Sequence, residues 1–91
     1  MKKYVIERNL PGAGNLSTEE LRSIARASNK LVDEIGNRYQ WVESFVTDDK
    51  IFCVHIAENE DDILTHAKRG NFPINSIREV KAVIDPLTEN P

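Results

Sequence analysis

The stretch Tyr39-Gln40-Trp41-Val42-Glu43-Ser44-Phe45-Val46-Thr47-Asp48-Asp49-Lys50-Ile51-Phe52-Cys53-Val54-His55-Ile56-Ala57 decides the fold. Aromatic and β-branched residues fill both arms, and the polar Thr47-Asp48-Asp49-Lys50 parts them, as in a β-hairpin. A two-residue turn at Asp48-Asp49 sets Val46 opposite Ile51, Ser44 opposite Cys53 and Val42 opposite His55. Trp41, Phe45, Phe52, Val54 and Ile56, with Glu43, then share the other face. Side chains alternate along a strand, so a slip of one residue would exchange these faces.

Working outward, a helix is predicted on each side of the hairpin. Ser17 and Glu20 form a capping-box pair, with Leu16 and Leu21 placed as a hydrophobic staple. Leu21, Ile24, Ala25, Ser28, Leu31, Val32 and Ile35 follow at helical spacing, and Gly36 stands where a C-terminal cap is wanted, which predicts a helix over 18–35. Beyond the hairpin a second helix starts near Asn59. Glu60, Asp61 and Asp62 fill its first turn, Lys68 and Arg69 its last, and Gly70 ends it, a charge order that complements the helix dipole. Tyr4 and Ile6 alternate with Val5 and Glu7 in a first strand over 3–9, and Leu10–Asn15 reads as a loop. Ser76–Asp85 reads as the last strand, with Val80, Ala82 and Ile84 on one face. Pro86 stops it, and 87–91 is a frayed tail.

The order β-α-β-β-α-β is the α+β, ferredoxin-like split βαβ arrangement: one domain over 1–91, core about 3–86, with a four-stranded antiparallel sheet. Right-handed crossovers put both helices on one face. The hairpin phasing assigns Tyr4, Ile6, Trp41, Phe45, Phe52, Val54 and Ile56 to the helix side, with Val80, Ala82 and Ile84. The open side then carries Val5, Glu7, Val42, Ser44, Val46, Ile51, Cys53, His55, Ile77, Glu79, Lys81 and Val83. Half of that open side is apolar, and apolar sheet faces of this extent are covered rather than left to water. The expectation is a homodimer packed sheet to sheet, with the polar residues lining an enclosed cleft. Size agrees: a chain of 10.4 kDa folds to roughly 5,400 Å² of surface, burying roughly 64%, enough for one core with little surplus.

Composition removes several classes of function. Twelve Lys and Arg against 15 Asp and Glu give a net charge of −3, whereas nucleic-acid binding draws its affinity from clustered cations. The strand Lys50–Ala57 also lacks the glycine and paired aromatics of an RNA-recognition module. One cysteine leaves no internal disulfide, C-x-x-C site or four-cysteine cluster. No apolar run approaches the ~20 residues of a membrane span, and Met1-Lys2-Lys3 leads too soon into charged sequence for a secretory signal. A cytoplasmic protein is expected, without nucleic-acid or membrane partners.

Cys53 and His55, two apart on one strand, point the same way, and a thiolate beside an imidazole suits nickel, zinc or copper. Glu7 on the neighbouring strand is the third candidate ligand, with Glu43 and His66 in reserve. The same residues also read as structural: Cys53 a small buried apolar group, the carboxylates water-facing or ion-paired, His66 a partner of its helix dipole. Carboxylates in a partly apolar cleft can instead act as general acid and base. Pro11-Gly12-Ala13-Gly14, with Arg8 beside it, offers backbone N–H groups to an anion. It has neither Walker nor dinucleotide spacing, and so reads as a structural turn.

Taken together, Val5-Ile6-Glu7-Arg8 with Leu10-Pro11-Gly12, Trp41 to Lys50, Phe52-Cys53-Val54, His66-Ala67 with Gly70 and Phe72-Pro73, and Glu79 to Pro86 resemble a family of small bacterial ferredoxin-like proteins that includes a nickel-binding member. The resemblance spans residues 4 to 88 and implies a dimeric α+β barrel that binds a metal. In that pattern the position of Glu43 often carries histidine and that of His55 often tyrosine. Glu7 and Cys53 therefore carry over, whereas His55 is a ligand candidate from this sequence alone. Three readings follow: a homodimeric protein binding nickel or another divalent transition metal through Glu7, Cys53 and His55; a small dimeric-barrel enzyme in which Glu7 or His55 moves a proton on an organic substrate; or an interaction protein without a small ligand.

Overall fold

Eight residues, Lys2–Asn9, form the first strand, β1, of a computed structural model that describes residues 1–36 and 38–91. A 3₁₀ turn at Ala13–Asn15 leads into helix α1, Thr18–Ile35. The hairpin strands β2, Tyr39–Val46, and β3, Lys50–Ala57, come next. Helix α2, Glu60–Gly70, the short strand β4, Ser76–Glu79, and a 3₁₀ turn at Pro86–Glu89 complete the chain. The sheet is antiparallel in the order β2-β3-β1-β4, the ferredoxin-like arrangement expected.

The helix ends are set locally. The Ser17 hydroxyl accepts from the Glu20 N–H (3.1 Å), while Glu20 Oε1 accepts from the Ser17 N–H (3.0 Å), closing the capping box. Asn59 caps α2 by accepting from the Asp62 N–H at 3.2 Å. Its far end turns at Asn71, in the left-handed region with φ 57°.

The sheet faces differ from those read off the hairpin. Val46 does pair with Ile51 and Ser44 with Cys53, but a β-bulge between Trp41 and Glu43 brings Trp41, not Val42, opposite His55. One extra residue on the bulged strand shifts the alternation, so Tyr39 and Trp41 share a face with Ser44 and Val46. The helices cover that face. Tyr4, Ile6 and Arg8 of β1 and Ile51, Cys53, His55 and Ala57 of β3 are all buried there. Ile63 of α2 packs onto them, and Ile6 and Ile63, with no exposure, each stabilise the fold by about 1.5–3 kcal/mol. Phe52, Val54 and Ile56, expected inside, lie with Val5, Glu7, Glu43 and Phe45 on the open face.

The last strand is also shorter than expected. Tyr4 pairs with Glu79, and the Val80 N–H donates to the Lys3 carbonyl at 2.8 Å. Continuing that register sets Lys81 beside Lys2, where β1 begins, so β1 offers no partner to the residues after it. Val83 and Ile84 stand exposed in the segment that follows, and Leu87 in the 3₁₀ turn after it, not on a sheet face.

Candidate functional site

Between the sheet and the helices lies a cavity of about 460 Å³, within the ~300–1,000 Å³ typical of small-molecule sites. Leu21, Ile24 and Ala25 from α1, Trp41 and Val46 from β2, Ile51 from β3 and Phe72 after α2 form its apolar wall. Arg8, Ser28, Ser44, Cys53, His55 and His66 supply its polar atoms. Gly70 lets Phe72 reach this position: a Cβ there would collide with the edge of the Phe72 ring and meet Leu31 Cδ1 at 2.8 Å.

The polar side chains interlock. His66, 1% exposed, stacks between Tyr39 (5.2 Å between centroids) and Phe72 (5.3 Å). The His55 ring meets Tyr39 edge to face, and its Nδ1 is hydrogen-bonded to the Tyr39 hydroxyl. His66 Nε2 is hydrogen-bonded to Ser28 Oγ at 3.2 Å, while its buried Nδ1 has no partner among the described residues. Burial holds the His55 pKa down to about 3, helped by His66 and Arg8, and that of His66 down to about 4, helped by Arg8. Both rings are therefore neutral at pH 7. Burial also raises the pKa of Tyr39, which keeps its proton.

Arg8 is the one permanent charge in this wall. It is 5% exposed, and guanidinium does not lose its proton in proteins. Nε donates to Cys53 Sγ (3.4 Å), Nη1 donates to the Pro73 carbonyl (2.8 Å), and Cζ lies 5.5 Å from the Phe72 ring centroid. All three neighbours are uncharged groups in ordinary form. The ion pairs of the described residues, Arg22–Glu19, Arg38–Asp62, Lys50–Glu7 and Lys81–Glu79, leave it out.

Of the residues expected to share a site, the structure brings together Cys53, His55 and His66. Glu7 and Glu43 lie on the opposite face of the sheet, because the register pairs Glu7 with Phe52 and Glu43 with Val54. Glu7 is there ion-paired with Lys50 at 2.8 Å. The sequence reading missed Tyr39, Ser28 and the central place of Arg8. Arg8 carries a readable signal, since it stands two and four residues from the buried Ile6 and Tyr4 on one strand.

Architecture and cavity together define a ferredoxin-like α+β sandwich with a ligand-sized chamber between its layers. Residues 4–80 match the family described as Nickel responsive protein SCO4226-like, and the chain belongs to that family. The crystal structure of SCO4226 from Streptomyces coelicolor A3(2) superposes with a TM-score of 0.76 at 10% sequence identity, covering 90% of this chain and 99% of that one. That likeness concerns the fold. No curated protein matches the sequence.

The family description raises nickel, and the chamber does not fit it as arranged. Among the described residues no three His, Cys, Asp or Glu side chains are placed to hold a metal ion. The thiol best suited to one is instead occupied by the Arg8 guanidinium, a positive charge where a cation would sit. No helix among the described residues is long and apolar enough to cross a membrane.

Proposed function

We propose that this protein is a homodimeric small-molecule-binding protein whose ligand lies in the chamber between sheet and helices. The chamber itself carries the reading: it has the volume of a small-molecule site, mainly apolar walls and a few convergent polar groups. Trp41, the only tryptophan, lines it and reports occupancy. Small apolar organic probes should change Trp41 emission saturably, and Ser44→Phe, which fills the space, should abolish the response. A panel of such probes leaving the emission unchanged would refute the reading.

The homodimer rests on the open sheet face, where Val5, Phe45, Phe52, Val54 and Ile56 have no helix above them. The accessible surface is 6345 Å², against roughly 5,400 Å² for a compact chain of this mass. The radius of gyration is 14.0 Å, against about 12 Å. The exposed Val83, Ile84 and Leu87 supply a further apolar segment suited to a second copy. Sedimentation showing only a 10.4 kDa species at micromolar concentration would refute the dimer.

The family description and the unpartnered Nδ1 of His66 favour a second reading, in which the ligand is a divalent transition metal such as nickel held by Cys53, His55 and His66. It requires the Arg8 guanidinium to leave Cys53 and the three side chains, which are not placed to hold an ion as they stand, to move together. Nickel titration by calorimetry tests it on protein prepared without a histidine tag, which would itself take up nickel. Saturable heat that Cys53→Ser removes supports it, and absence of heat refutes it.

A further inference from the structure

We infer that the ligand of the chamber is a small organic carboxylate, its carboxylate on Arg8 and its apolar body against Leu21, Ile24, Trp41 and Phe72. This rests on the chamber reading above and goes further by naming the chemical class. A buried charge is costly unless it is paired, because the low-dielectric interior does not replace the lost hydration. Arg8 is buried and lines the chamber, yet its partners are a thiol, a backbone carbonyl and an aromatic ring. Nη2 makes no hydrogen bond among the described residues, and the nearby histidines are both neutral. The wall of a mainly apolar chamber therefore carries a positive charge with no anionic partner.

A ligand that completes this arrangement has one negative charge, planar geometry to meet the free guanidinium nitrogen, and an apolar remainder. Carboxylates suit guanidinium in charge and shape. Inorganic phosphate has no apolar part to displace water from the walls, and it carries more charge than one guanidinium neutralises.

The test compares 3-phenylpropionate, its neutral amide and inorganic phosphate, read by Trp41 emission and by melting temperature. The carboxylate should bind saturably and raise the melting temperature, as any ligand of the native state does. It should bind about tenfold more tightly than the amide, the low end of what a hydrogen bond to a charged group contributes. Arg8→Met should erase that preference. Should Arg8→Met fail to fold, nitrogen-15 NMR of the wild-type arginine Nε–H groups decides: the carboxylate should shift the Arg8 resonance and the amide should not. Equal binding of acid and amide, binding of phosphate as tight as that of the acid, or an unmoved Arg8 resonance would overturn the inference while leaving the chamber reading intact. If neither organic probe binds, the chamber reading falls and this inference with it.

Discussion

Lowering the pH from 7 to 5 should destabilise the fold by about 4 kcal/mol through its two histidines. Both are only 1% exposed, with pKa values of about 3 for His55 and about 4 for His66, against ~6.5 in an unfolded chain. The unfolded state therefore takes up two protons that the folded state refuses. Stability is fully present above pH 6.5 and is lost as pH falls toward the folded-state values. Over this interval each unfolded histidine goes from about one-quarter to nearly full protonation, costing the fold about 2 kcal/mol apiece. For a domain of this size that corresponds to a fall in melting temperature of roughly 15–30 °C. Circular-dichroism melts at pH 7, 6 and 5 measure it directly, and NMR titration of the imidazole resonances assigns it. A melting temperature that barely moves, or either histidine titrating near its ordinary value in the folded protein, would refute the reasoning.

Other outcomes follow from single contacts. Ser17→Ala removes the cap of α1 and should cost about 1 kcal/mol, seen as a lower denaturation midpoint with unchanged slope. Ile63→Ala empties a position with no exposure and should cost about 2–5 kcal/mol by the same assay. Deleting residues 81–91 removes the exposed apolar segment and should shift sedimentation toward the monomer while the melting transition survives. A truncated chain that stays dimeric would show that the open sheet face suffices.

The element order was legible because its signals are local. Ser17 with Glu20 and the acidic-to-basic run from Glu60 to Arg69 mark helix ends within a few residues. Which sheet face the helices cover was not legible. On β3, Ile51, Cys53, His55 and Ala57 compete with Phe52, Val54 and Ile56, and the larger apolar set faces outward. What decides the matter is remote in sequence: His55 is hydrogen-bonded to Tyr39, His66 to Ser28, and Arg8 to the Pro73 carbonyl. A helix also approaches small side chains such as Cys53 and Ala57 more closely than it can Phe52. Strict alternation through Trp41, Glu43 and Phe45 would have buried a carboxylate between two aromatics. That conflict was the visible sign of a bulge. The candidate ligands were half placed for the same reason: Cys53 and His55 share a strand and hence a face, whereas pairing them with Glu7 depended on a register between strands.

The irregularity at Val42 takes up one surplus residue of β2, so that both halves of the strand present their side chains to the same chamber. It acts as a phase shift in β2: upstream positions are read one step later than downstream ones. Exchanging Val42, which is exposed, for another residue should be mild. Excising it should close β2 and β3 into an unbroken ladder, with Trp41 still opposite His55 and Tyr39 still on the chamber side.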